Sequence, residues 1–394
     1  MRYRYSTGKN GKPVKKATIY TCDEHGINFS DIDREAVGII RKLKHAGFDA
    51  YIVGGAVRDL ILGKKPKDFD IVSSASPAKI KKIFRNSRII GRRFRLVHVY
   101  FEERVFEVST FRSLKDGYTG NTFGTMDEDV LRRDFTMNAL FYDIEQQVVV
   151  DYVGGMNDIK KRQVRSVIPL SEIFTEDPVR MIRAVKYAAL AGFSIPLNLK
   201  LKIARQSYLL AGISPSRLTE EILKIINSDN AAGIVDMLDK MGLYNYLQPN
   251  AADLMRKNPS FRQNYLKSMA ALNGSGQVLG SLFYDYLEIV YDWKVEAAAG
   301  KNLPVSIENF REIFKTVRSF VLPMNPPRYD LERALRKFFS SRSITIRRPH
   351  IEKPKPAAED AENKPSVARK RKRRKYKPET KNSESVMQNA EIQG

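Results

Sequence analysis

The stretch YIVGGAVRDLILGKKPKDFDIV, residues 51–72, decides how the first half of this chain is read. An apolar run meets Gly54-Gly55, a short helical pattern follows from Ala56, and a second apolar run holds Phe69, Ile71 and Val72. Two aspartates, Asp68 and Asp70, interrupt that second run one residue apart. Alternate residues of a strand project from one face, so this spacing puts both carboxylates on the same side. Like charges there repel, and burial penalises each, unless a cation bridges them; a hard oxygen pair suits Mg²⁺. The two glycines let the backbone approach a ligand closely, and the N–H groups opening the next helix suit a phosphate, with Arg58 one turn in. Each signal alone also occurs in ordinary tight turns and in Asp-x-Asp pairs without function.

Around this stretch the periodicity is that of strands: AYIV (50–53), LVHVYF (96–101), VFEVSTF (105–111), ALFYDI (139–144) and VVVDYV (148–153). Before it, Ile32, Val37, Ile40 and Leu43 follow helical spacing, and Gly47 gives a stop. After Gly155 amphipathic helices take over, in DPVRMIRAVKYAALAGF, SRLTEEILKIINS and AAGIVDMLDKMGLYNYL. The expected fold class is therefore α+β. It comprises a basic arm (1–30), poorly ordered; a mixed-sheet head (31–165); a helical neck (166–250); a helical body (251–346); and a disordered basic tail (347–394).

The 394 residues carry 68 Lys and Arg against 45 Asp and Glu, a net +23, which favours an anionic partner, nucleic acid first. Residues 347–381 hold 14 basic and 5 acidic side chains, so the rest of the chain keeps +14 without them. The tail is either a solvated charge run or a contributor to RNA binding through counterion release. One cysteine, Cys22, excludes an internal disulfide, and four scattered histidines offer no metal cluster. No run of about 18 apolar residues or hydrophobic leader is present, so a cytoplasmic protein with no membrane contact is expected.

Joined to the Asp-x-Asp pair, the Gly-Gly turn resembles the signature of the DNA polymerase β-like nucleotidyltransferases. That resemblance asks for a third carboxylate on a neighbouring strand. VFEVSTFR supplies Glu107; the alternative for a buried glutamate there is an ion pair with Arg104 or Arg112. Three segments in order, VGGAVRDLILGKKPKDFDIV, LRRDFTMNALFYD and EDPVRMIRAVKYAA, resemble the class II tRNA nucleotidyltransferase and bacterial poly(A) polymerase family across roughly residues 35–250.

The resemblance implies that Asp68, Asp70 and Glu107 are catalytic and hold two Mg²⁺ ions, with Mn²⁺ as a substitute. It implies Gly54, Gly55, Arg58, Arg132 and Arg133 at a triphosphate, and Asp134 and Asn138 at the sugar or in a network joining head to neck. Asp177 and Arg180 would read the base, with Arg183 in support; the bland alternative is a local ion pair at a helix start. Asp177 accepting and Arg180 donating fit adenine and cytosine, whose edges pair an amino donor with a ring acceptor, and reject guanine and uracil. Arg217 and Glu221, in SPSRLTEEILKI, would brace the neck. Expected partners are RNA 3′ ends and ATP, for a monomer with RNA-decay proteins as candidate partners. The Arg-rich run IIGRRFRLVHVYF (89–101) resembles the A-adding branch; CCA addition to tRNA, and a catalytically inactive RNA-binding protein, are the alternatives. Aromatics such as Tyr284, Tyr286, Tyr291 and Trp293 could stack on bases or fill a core.

Overall fold

Nine strands form one mixed sheet in the order β1-β2-β9-β8-β3-β4-β7-β6-β5. The computed structural model describes residues 2–7, 10, 12–91, 95–102, 104–120, 122–272 and 307–341. Its central strands are β3 (Ala50–Val53), β4 (Asp70–Ser73) and β7 (Arg104–Thr110). β3 and β4 run antiparallel, with Val53 opposite Asp70, whereas β4 and β7 run parallel, with Ile71 opposite Val108. β6 (Leu96–Phe101) and β5 (Ser87–Ile90) complete one side; β8 (Leu140–Asp143) and β9 (Val148–Asp151) extend the other.

Alternation gives the sheet two different faces. Ile52, Ile71 and Val108 enter the main apolar core, together with α2 (Arg34–His45) and α4 (Pro77–Ile83). α2 starts where the Asp33 carboxylate accepts from the Glu35 and Ala36 N–H groups, buries Ile39, Ile40 and Leu43, and stops before Gly47, whose φ of 83° is left-handed. The opposite face carries a smaller cluster, including Val53, Val72, Phe111 and Phe141, partly roofed by Met126 and Val130 of α5 (Met126–Leu131). Asp70 and Glu107 lie on this second face.

The N-terminal arm departs from expectation. Arg2–Thr7 (β1) and Pro13–Tyr20 (β2) form an antiparallel hairpin, and Thr18 to Tyr20 pair with Val149 to Asp151 of β9. Polar composition concealed this because backbone ladder bonds to an existing sheet edge, rather than side-chain burial, hold β1; its six side chains are almost all exposed. β5 also escaped the strand reading, being four residues long with only Ser87 buried.

The helical half begins with α7 (Ile173–Glu176) and α8 (Val179–Ala191), followed by α10 (Pro215–Ile226). The pattern expected as one helix over 231–247 divides into Ala231–Lys240 and Tyr244–Leu247, because Gly242 adopts φ 72° between them. Helices Ile307–Phe320 and Arg328–Ser341 pack onto this half, where Gln248 Nε2 donates to the Val321 carbonyl at 2.9 Å. The apolar core runs from Tyr20 to Phe339. Arg92 and Arg93, the aromatics at 284–293 and the expected tail at 347–394 lie outside the described residues.

Candidate active site

A cavity of about 790 Å³ opens between the second face of the sheet and the first helices of the helical half. This size suits a nucleotide-scale ligand. Its acidic end is built by the parallel pairing of β4 and β7: one step before Ile71 and Val108, Asp70 stands beside Glu107. Asp70 is the first residue of its strand, and Asp68 precedes the strand on the same exposed side, with Phe69 buried between them. The pair thus sits at the strand's start rather than in its middle. Gly54 closes this end, with a φ of 74° that disfavours other residues; a Cβ there would stand 3.7 Å from Asp70 Oδ2.

The Asp70 carboxyl is pushed up to about 6 from an ordinary 3.8, first by burial, then by the charge of Glu107, with Asp68 adding and Arg133 opposing. The group is walled by protein on most sides and open to cavity water on one. Glu107 is exposed rather than buried, and its nearest charge partner is His98 at 3.4 Å. Arg104, one of two expected partners, turns instead to Asp33 and Glu35.

A divalent cation fits the chemistry of this end. Its donors are hard carboxylate oxygens that repel each other, the charge of Arg133 offsets this only in part, and no Lys or Arg ion pair reaches Asp70 among the described residues. Asp68 does not line the cavity with the other two, and among the described residues no three such ligands stand at metal-holding spacing. The donors are therefore gathered but not drawn into a finished coordination shell.

The opposite wall is rich in arginine. Arg132 is 7% exposed; its Nη2 donates to the Tyr118 carbonyl at 2.9 Å, while Nη1 is buried with no hydrogen-bond partner among the described residues. Burial, then Arg112, pulls its pKa down to about 10, so it stays charged at neutral pH. An unpartnered donor on a buried cation facing a cavity is a place for an anion. Arg133 is more committed, with Nη2 2.9 Å from Asp129 Oδ2 and the guanidinium 4.9 Å from the Phe141 ring.

Arg58 corrects its expected position. It does not line the cavity; its Nη1 donates to Asn138 Oδ1 at 2.9 Å, its Nε donates to Asp59 Oδ1 at 2.9 Å, and it lies 5.5 Å from the Tyr187 ring. Sequence spacing could not show this because Asn138 and Tyr187 are distant in the chain. Asn138 is correspondingly buried, while Asp134 faces Arg183 at 3.9 Å from the head to α8.

From the helical side, Asp177, Arg180, Arg183 and Arg217 enter the cavity. Asp177 has φ −150° in the break between α7 and α8, as expected of a residue before proline, so it stands before the helix rather than on its face. Its carboxylate is not paired locally with Arg180. Arg217 Nη2 lies 2.9 Å and 3.0 Å from its two oxygens, and the Val179 N–H donates to Oδ1 at 3.2 Å. Arg180 is 5% exposed and donates to the Ile173 carbonyl at 3.2 Å. Arg217, read from the sequence as a brace of the neck, lines the cavity, and so do Tyr118, Asp129 and Glu176, which the sequence reading did not assign. Glu221 accepts from Lys186 at 2.9 Å and Arg183 at 3.3 Å.

The cavity thus joins two strand carboxylates beside a glycine turn to arginines from both the head (Arg132, Arg133) and the helical half (Arg180, Arg183, Arg217). Residues 50–165 match the model of the Poly A polymerase head domain, and residues 192–255 match that described as the probable RNA and SrmB-binding site of polymerase A. Poly(A) polymerase I of Salmonella typhi is 40% identical over 257 residues, covering 61% of this chain and 55% of that protein. The CCA-adding enzyme of Geobacillus thermodenitrificans is 38% identical over 242 residues, covering 59% of each. A crystal structure of the Bacillus stearothermophilus CCA-adding enzyme in complex with CTP aligns with a TM-score of 0.54 at 28% identity, covering 78% of this chain and 82% of that one. These likenesses cover the head and the first part of the helical half, which are similar to poly(A) polymerases and CCA-adding enzymes alike. The chain spans a little over half the length of the curated relatives it matches. Among the described residues no helix is long and apolar enough to cross a membrane.

Proposed function

We propose that this chain is a poly(A) polymerase, which transfers AMP from ATP to RNA 3′-hydroxyl ends and releases pyrophosphate. The observation that carries the reading is one cavity lined both by Asp70 and Glu107 and by buried Arg132, whose Nη1 has no hydrogen-bond partner among the described residues. A nucleoside triphosphate needs both: cation-binding oxygens where the α-phosphorus reacts, and fixed positive charge along the chain of phosphates. The relatives named poly(A) polymerase I, at about 40% identity, support the A-adding branch.

In this reading the RNA 3′ oxygen forms a bond to the ATP α-phosphorus while the bond to the bridging oxygen of pyrophosphate breaks, with no covalent enzyme intermediate. Asp68, Asp70 and Glu107 would hold Mg²⁺, or Mn²⁺ in its place. When bound, such ions lower the pKa of the attacking hydroxyl and neutralise the leaving group. Arg132 would contact the triphosphate, with Gly54 and Gly55 allowing its close approach. Arg58, Arg133 and Asn138 would act through their network, setting the glycine turn against the arginine wall. Asp177 and Arg180 would meet the base edge, and Asp134 with Arg183 would join head to neck. RNA and ATP as partners, and a cytoplasmic place of action, belong to the same proposal.

The second reading is CCA addition to tRNA, favoured by the relatives named CCA-adding enzyme at 38% identity. Purified protein with Mg²⁺ is given oligo(A) or a tRNA lacking its CCA end, with ATP or CTP separately. Long A tails without C incorporation support A-tailing. Addition of C to the tRNA, stopping after CCA, overturns it.

A further inference from the structure

The hairpin β1-β2 is poorly explained by packing. β1 buries almost nothing, yet its sequence is RYRYST, and residues 1–20 contain six Lys or Arg and no Asp or Glu. Its alternation separates two roles. Arg4 stands opposite Ala17, a member of the core on the cavity side of the sheet, and its Nη1 donates to the Tyr152 hydroxyl at 3.0 Å. Lys16 pairs with Asp127. Both anchors reach α5 and its surroundings, whose other end leads into Asp129, Arg132 and Arg133 of the cavity. The helix between them spans about 9 Å at 1.5 Å per residue.

Tyr3 and Tyr5 project from the other side of the strand, 42% and 57% exposed, with ring centroids 6.3 Å apart. Lys15 Nζ lies 3.8 Å from the centre of the Tyr3 ring, and Lys12 is exposed nearby on the chain. Exposed rings interleaved with cations, and no acid, match what single-stranded nucleic acid asks for: bases stack on the rings while the cations meet the backbone.

We infer that the N-terminal hairpin is a binding platform for single-stranded RNA upstream of the 3′ end that enters the cavity, the strand passing round the β1 edge of the sheet to reach rings that face away from the cavity. The inference rests on the proposed RNA-extending activity, because that activity puts an RNA end in the cavity whose wall the hairpin adjoins. Charge complementarity selects RNA over a protein strand added to the β1 edge; an added strand would not require a run of twenty residues with six cations and no acid of its own.

The test measures binding of fluorescent oligoadenylate by anisotropy, without Mg²⁺ or ATP, across a KCl series. The double variant Tyr3→Ala/Tyr5→Ala is expected to bind roughly tenfold more weakly at constant salt, and Tyr3→Phe/Tyr5→Phe to bind as the unchanged chain does, since phenyl rings still stack. Lys12→Gln/Lys15→Gln is expected to flatten the slope of log affinity against log salt by about 1.4, or about 0.7 per lost phosphate contact. Unchanged affinity and slope in these variants overturn the proposal. So does equal weakening by the Ala and Phe pairs, or a chain whose self-association, rather than RNA affinity, depends on these residues. A incorporation is assayed separately: its failure alongside these binding shifts sinks the polymerase reading and leaves the platform, whereas normal incorporation with no shift does the reverse.

Discussion

Replacing Asp70 with Asn should stabilise the metal-free protein while removing its activity. Burial and the charge of Glu107 raise the folded-state pKa of Asp70 from 3.8 to about 6. At 1.36 kcal/mol per pH unit, a rise of that size is worth about 3 kcal/mol. The carboxylate is open to cavity water, and screening reduces the figure to about 1–2 kcal/mol. A raised folded-state pKa means that this group's contribution is fully present below pH 3.8 and is lost as pH rises through about 6. Above that pH the native state carries a charge it would rather neutralise. Asn has the same shape and no charge to repel Glu107. In EDTA at pH 8 the variant should therefore melt higher, by roughly 1–2 °C per kcal/mol for a unit of this size, and the advantage should close as pH falls to about 4. Added Mg²⁺ should raise the unchanged protein and do little for the variant, since only the former keeps both carboxylates. Melts followed by circular dichroism from pH 4 to 8, with and without Mg²⁺, measure all three effects. A variant less stable at pH 8, or a difference independent of pH, would refute the argument that these carboxylates are held together against their repulsion.

Asp68→Ala and Glu107→Ala should each abolish AMP incorporation into oligo(A) and leave RNA affinity nearly unchanged; substantial residual incorporation in both would remove the metal-site assignment. Glu221→Ala strands Lys186, which is 6% exposed, and should lower stability by roughly 3–5 kcal/mol in urea titrations. Pairing it with Lys186→Met should recover most of that loss, and a double variant no better than the single one would show that the pair is not what makes the position sensitive.

The legible parts of this fold were those whose burial follows a short period. β3, β4, β8 and β9 bury nearly every residue or alternate cleanly, and helices α2, α8 and α10 carry apolar stripes that point to their partners. β1 and β2 were illegible because their ladder bonds use backbone groups that no side-chain pattern advertises. The site divides in the same way. Asp70, Glu107 and the glycine turn could be read locally, since strand spacing and a tight turn are local facts. Arg58 was misplaced because its partner Asn138 is 80 residues away, and Arg217 was underused because its partner Asp177 is 40 residues away. Local spacing proposes partners within one turn, and tertiary packing replaced them with distant ones.

That replacement bears on the choice between adenine and cytosine, which the edges of the bases leave open. A carboxylate offers four lone-pair sites. Arg217 Nη2 meets both Asp177 oxygens and the Val179 N–H meets Oδ1, so one site on Oδ2 remains for a base amino group. On the proposed reading, a base held there at its amino group, with its α-phosphate at the acidic end, would have to span a fixed distance. Adenine reaches farther from its sugar than cytosine, so the separation of head and neck becomes the ruler. Two lysines immediately before Asp68 hold that separation: Lys64 Nζ donates to the Leu190 carbonyl at 2.9 Å, and Lys67 Nζ donates to the Asn227 carbonyl at 3.0 Å. Both carbonyls close helices, at the negative ends of α8 and α10, where a cation is favoured. Each contact is exposed and worth less than about 1 kcal/mol to stability, so Lys64→Ala/Lys67→Ala should melt nearly unchanged. Its ratio of kcat/KM for ATP over CTP on one primer should nevertheless fall, because a loosened head can close onto the shorter base. A variant with the ratio intact would place the choice between A and C in the cavity walls instead of in the distance between its ends.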